Sequence, residues 1–122
     1  MKALIIAAHG SRKFESNAEV LELADRLSQK ISDGFNMVEA AFLQFAEPLL
    51  DLKIRDVINA GANQIVVFPF FIAGGSHVLN DIPQIVEQIT KDHKEINIKI
   101  TKHLGKIDAI DDIILKEVIG DF

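Results

Sequence analysis

Four short apolar runs, each followed by residues at helical spacing, constrain the fold of this chain more than any other feature. Residues 3–8 are continuously apolar, as a strand covered on both faces must be. Val20, Leu21, Ala24, Leu27 and Ile31 then recur at helical spacing, and Gly34 stands where such a helix stops. Residues 37–45 read as a second strand. Glu47-Pro48 opens a second helix, since proline is tolerated at the first helical position and an acid favours the positive end. Its inner face is Leu50, Ile54, Val57 and Ile58, and Gly61 ends it. Residues 65–68 form a third apolar strand. Asn80 or Asp81 caps a third helix, with Pro83 just inside it and Ile82, Ile85, Val86 and Ile89 toward the core. Residues 96–101 alternate strictly, which predicts a fourth strand with one wet face or an edge position. Asp108 caps a last helix that buries Ile110, Ile113 or Ile114, and Val118.

This order predicts an α/β fold, a parallel four-stranded sheet with helices on both faces. Strands one and three are the most uniformly apolar and go to the centre. Right-handed crossovers then give the order 2-1-3-4, a shortened flavodoxin-like sheet. The 122 residues fit one domain, 1–122, large enough for a single core without staples. The chain has no cysteine, which excludes disulfides, thiolate metal sites and a thiol nucleophile and makes a reducing, cytoplasmic setting the natural reading. A net charge of −5 argues against a nucleic-acid partner, which needs a basic face. The longest apolar stretch, residues 65–73, contains Pro69 and falls well short of the ~20 residues of a membrane span. Before His9 the first strand is too short for the ~7–15 apolar residues of a signal peptide.

In a sheet of order 2-1-3-4, ligands bind beyond the carboxyl ends of the strands, at the switch point between strands one and three. The loop after strand one reads His9-Gly10-Ser11-Arg12, and the loop after strand three runs from Pro69 to His77. His9 and His77 therefore reach one crevice. Imidazole is a common ligand of borderline divalent metals, and two imidazoles make an open site suited to a metal that must leave. A loop histidine is otherwise a hydrogen-bonding residue. Gly74-Gly75-Ser76 offers a nest of backbone N–H groups for an anion, or else a flexible turn, and Arg12 and Lys13 add charge beside it. Glu47 is a helix-dipole partner on spacing alone, with a metal-ligand or proton-acceptor role as the alternative. His93 ends helix three as a solvated charge, and His103 follows strand four at an outer position of the same edge. The chain has no Walker A motif, no G-x-G-x-x-G after strand one and no G-x-S-x-G elbow, which removes ATP-driven, dinucleotide and serine-hydrolase readings.

At these residues the sequence resembles the short, single-domain sirohydrochlorin cobaltochelatases of the CbiX type, ATP-independent chelatases with relatives that insert iron or nickel. The resemblance covers nearly the whole chain. It rests on Ala7-Ala8-His9-Gly10-Ser11-Arg12, on Phe42-Leu43-Gln44-Phe45-Ala46-Glu47-Pro48, on the run from Val67 to His77, and on Asn80-Asp81-Ile82-Pro83. It implies that His9 and His77 are the metal-binding pair, with His9 also a proton acceptor. It implies that Glu47 and the loop Ile72, Ala73, Gly74, Gly75 and Ser76 contact substrate, with Ser11 and Arg12 beside them. Many relatives carry Glu where this chain has Gln44, so a carboxylate role here falls to Glu47 or passes to an imidazole.

The reaction so implied exchanges two pyrrole protons of sirohydrochlorin for one divalent cation, Co²⁺ first and Fe²⁺ or Ni²⁺ as alternatives, with no cofactor beyond that metal and no ATP. A metal or tetrapyrrole carrier would use the same histidines, and a flavodoxin-like module for FMN or another phosphate ligand would use the backbone nests without His9. The partners expected are the tetrapyrrole, the metal and a second copy of the chain. Larger relatives look like two such units in one chain, and the apolar run Phe70-Phe71-Ile72 is costly to leave exposed.

Overall fold

The structure is a computed structural model that describes residues 1–120, and of residues 76–79 the backbone alone. Four strands, β1 (Lys2–Ala8), β2 (Phe35–Phe42), β3 (Gln64–Pro69) and β4 (Asn97–Ile100), alternate with helices α1 (Phe14–Lys30), α2 (Leu50–Asn59), α3 (Ser76–Asp92) and α4 (Ala109–Val118). A 3-10 turn, Leu104–Lys106, precedes α4. The sheet is parallel throughout in the order β2-β1-β3-β4, as the alternation predicts.

Alternation of side chains along β1 splits the core in two. Ala3, Ile5 and Ala7 join Ile65 and Val67 of β3, and Leu50, Ile54 and Val57 of α2 and Ile82, Val86 and Ile89 of α3 cover them. Ile6 and Ala8 face the other way and pack with Val20 and Ala24 of α1 and with Ala40 and Phe42 of β2. The two central strands are thus buried on both faces, which is why they read as continuous apolar runs. β4 lies at the edge, with Asn97 exposed on one face and Ile96 and Ile98 packed on the other.

Four elements depart from the sequence reading. β2 ends at Phe42, and the Glu47-Pro48 peptide is cis, so Pro48 belongs to a turn and α2 starts at Leu50 with Asp51 as the acid of its first turn. Phe42 N–H donates to Pro48 O at 2.9 Å, closing that turn over the strand end. α3 starts at Ser76, which leaves Pro83 inside it and exposed. The helix accommodates an interior proline because its apolar face, Ile82, Val86 and Ile89, is buried against the sheet, and packing outweighs propensity. α4 buries none of its residues: Ile113, Ile114, Leu115 and Val118 are all more than half exposed, and Ile110 is half-buried. The predicted burial of this face does not occur within one chain.

Candidate functional site at the carboxyl edge

β1 and β3 are hydrogen-bonded neighbours, so the loops that follow them emerge side by side. Phe70 N–H donates to Ala7 O at 2.8 Å, which carries the third loop along the end of β1 to His9. Phe71 meets His9 edge-on, with ring centroids 6.3 Å apart and planes at 86°. His9 itself is exposed.

The loop after β2 reaches the same point. Leu43 N–H donates to Ala8 O at 2.9 Å and Gln44 N–H to His9 O at 3.1 Å. Gly10 has φ +91°, and a Cβ on it would collide with the carbonyl oxygen of Gln44, so conformation and space both require glycine there. The Gln44 side chain lies against the imidazole, its Nε2 3.2 Å from His9 Nε2 and 3.3 Å from Nδ1. His9 Nδ1 is 3.2 Å from Gly10 O. The Gly10 carbonyl can only accept, so that contact is made by a protonated Nδ1, while the Gln44 amide nitrogen, nearly equidistant from both ring nitrogens, lies against the ring rather than on the Nε2 lone pair. A backbone carbonyl holding one ring nitrogen presents the other as ligand or base.

The opening loop is clamped by a residue the sequence reading passed over. Asn17, in α1, accepts the Ser11 N–H at 2.9 Å and donates to Ser11 O at 2.7 Å. The Ser11 hydroxyl accepts the Lys13 N–H at 3.0 Å, where α1 has no side-chain cap of its own. An Asn six residues after Ser11, within the first turn of the helix, is the available signal. Arg12 holds its guanidinium over the Phe45 ring, 4.6 Å from the centroid. Phe45 is exposed at φ +63°.

Of the remaining candidates, Glu47 is exposed in the turn before α2. Gln44, not Glu47, is the residue of this segment in contact with His9. Phe70 and Phe71 are half-buried on opposite faces of the sheet, and of that apolar run Ile72 alone projects, at 68% exposure. Ala73, Gly74 and Gly75 are exposed. Gly75 is extended, at φ −77° and ψ 171°, and Gly74 has no positive φ, so the glycines do not form an alternating-hand nest. They lead into α3 as an uncapped N-terminus. The side chains of Ser76 and His77 lie outside the described residues. Among the described residues no group of three or more His, Asp or Glu converges on one point, and no helix is long and apolar enough to cross a membrane. Phe14, Phe45 and Ile72, one from each of three loops or helix starts at this edge, are exposed apolar side chains.

A family model described as CbiX matches residues 3–120. The chain is 38% identical over 86 residues to the sirohydrochlorin cobaltochelatase of Methanococcus maripaludis, covering 70% of this chain and 58% of that protein. It is 34% identical to the chloroplastic sirohydrochlorin ferrochelatase of Arabidopsis thaliana, over 97% of this chain and 55% of that one. It therefore spans little more than half the length of these two relatives. Among solved structures, SirB of Bacillus subtilis in complex with cobalt superposes with a TM-score of 0.81 at 22% identity, over 96% of this chain and 50% of that chain, a likeness of fold.

Proposed function

The chain belongs to the CbiX family, and we propose that it inserts a divalent metal ion into sirohydrochlorin, releasing the two pyrrole protons, in cobalamin or related tetrapyrrole synthesis. The observation that carries this reading is His9: an exposed imidazole at the switch point, with Nδ1 against the Gly10 carbonyl and the Gln44 amide lying against its ring. We assign Co²⁺ as the metal, after the Methanococcus relative, with Fe²⁺ or Ni²⁺ taken by the same donors; imidazole does not choose among them by affinity.

His9 and His77 hold the metal loosely, as two neutral nitrogens do, and leave its other positions to water and then to the pyrrole nitrogens. Once the Gln44 amide swings away, His9 Nε2 also accepts a proton from the macrocycle. Glu47 is the carboxylate of this segment and contacts substrate from the second loop. Ile72, Ala73, Gly74, Gly75 and Ser76 line the third, and Ser11 and Arg12 the first. The exposed apolar side chains of Phe14, Phe45 and Ile72 at this edge, with Arg12 over Phe45, support this assignment, because a flat macrocycle with charged margins needs apolar surface and local cations. Long-range steering does not serve a polycarboxylate on a chain of charge −5. The exchange needs no nucleotide, and a reducing, cytoplasmic setting suits the divalent state of the metal.

The partner we assign is a second copy of the chain. The apolar side chains of α4 support it, as does a SirB chain of which this one covers half.

Anaerobic absorbance scans of sirohydrochlorin with each divalent metal, with and without the protein and without ATP, test the activity. Protein-dependent insertion is expected, fastest with Co²⁺. Stoichiometric metal binding with no turnover would leave a carrier, and a strict ATP requirement would contradict the reading.

A further inference from the structure

His103 stands at the carboxyl end of β4, just before the 3-10 turn, and is 9% exposed, the one buried polar residue among the described residues. Among those residues neither ring nitrogen has a hydrogen-bond partner, and neither is sealed from solvent. An imidazole so far desolvated normally recovers a hydrogen bond inside the protein.

The ring faces the loop after β3. A Cβ on Gly74 would stand 2.9 Å from His103 Cε1 and 3.1 Å from Nε2, so that edge of the ring lies against the Gly74 backbone and a side chain there would push it aside. The turn and the loop are fastened together. Gly105 N–H donates to Phe71 O at 2.9 Å, and a Cβ on Gly105 would collide with the Ile72 carbonyl. Beyond Gly74 the chain enters α3 through Gly75, with no side-chain cap and no acid in the first turn. Among the described residues the N–H groups of Ile72, Ala73, Gly74 and Gly75 donate to nothing. Unfilled backbone donors, the positive end of a long helix and an unpartnered imidazole thus meet at one place, flanked by the exposed Lys102 and Lys106.

We propose that this is a carboxylate subsite: His103 donates a hydrogen bond to a peripheral acetate or propionate group of the tetrapyrrole, alongside the N–H groups of the Gly74-Gly75 segment, and so seats the macrocycle relative to His9. The residue binds substrate and takes no part in proton or metal transfer. The proposal rests on sirohydrochlorin being the substrate.

The test is steady-state insertion kinetics, with metal-free titration of sirohydrochlorin by absorbance, on the wild type, His103→Leu and His103→Gln, each checked for native circular dichroism. His103→Leu is expected to raise KM and the metal-free Kd roughly tenfold with kcat within about twofold, the loss of one hydrogen bond to a charged group. His103→Gln, which keeps an N–H donor of similar reach, is expected to recover most of that loss. Gly74→Ala, which pushes the loop off the ring, is expected to raise KM as His103→Leu does. Unchanged KM and Kd in a folded His103→Leu, with the wild type active, would overturn the subsite and leave the activity standing. A fall in kcat at constant KM, or no recovery in His103→Gln, would also overturn it. A wild type that neither binds nor metallates sirohydrochlorin would overturn the activity itself, and the subsite with it.

Discussion

An imidazole can serve a metal and a proton only if one nitrogen is pinned and the other is reachable, and at His9 the Gly10 carbonyl pins Nδ1. Replacing His9 or His77 by Ala is expected to lower the insertion rate at least ~100-fold with the fold retained, because each deletes half of the nitrogen pair. Stopped absorbance assays and circular dichroism check it, and wild-type turnover in both variants would reject the pair. Gln44 touches the same ring, so its substitutions read out metal rather than stability. Gln44→Glu places a charge about one hydrogen-bond length from Nε2 and is expected to tighten divalent metal by roughly tenfold while turnover continues. Isothermal titration with Co²⁺ measures this. In the same assay series Glu47→Gln is expected to slow insertion more than Gln44→Ala, since Glu47 carries the negative charge of the segment; equal rates would transfer the proton to the imidazoles alone.

At the scale of elements, the site depends on how each loop leaves its strand. The turn from β1 into α1 is held by the Asn17 clamp on both sides of the Ser11 backbone. Asn17→Ala removes both bonds at a helix start that has no other side-chain cap and is expected to cost about 1–2 kcal/mol, read as a lowered urea midpoint. Gly10 bears the other half of that turn. Gly10→Ala forces a side chain into φ +91° against the Gln44 carbonyl, and a loss of about 2–4 kcal/mol in the same titration is expected, together with lost activity as His9 is displaced. A near-neutral result would mean that the loops after β1 and β2 move independently.

At the scale of the whole molecule, α4 is the element left without a core. Ile113, Ile114, Leu115 and Val118 face solvent in a single chain, whereas α2 and α3 are packed down on the sheet. Burial of such a face is worth roughly 25 cal/mol per Å² of apolar area removed from water, and in the proposed dimer a second copy with the same unfilled face would supply the partner by two-fold symmetry. A dimer is expected in sedimentation equilibrium at micromolar concentration. Ile114→Asp is expected to shift it toward the 13.5 kDa monomer and to weaken insertion if the cleft is flanked by both copies. An active wild-type monomer would reject the shared cleft.

Local pattern by itself determined the strand and helix order, the sheet order and the carboxyl edge as the place where His9 stands. Continuous apolar runs at residues 3–8 and 65–68 are legible because a doubly covered strand admits little else, and a histidine directly after such a strand has to stand at the switch point. The tertiary structure decided what the pattern left open. Pro83 reads as a helix start and lies inside α3, because burial of Ile82, Val86 and Ile89 overrides a local proline signal. The periodicity of residues 110–118 reads as a core face and is exposed, because periodicity says that a face is apolar and not which chain covers it. Gln44 against His9, Asn17 across the Ser11 backbone and His103 beneath Gly74 join residues 35, 6 and 29 positions apart, and only the folded chain brings such groups within the reach of a hydrogen bond or a van der Waals contact.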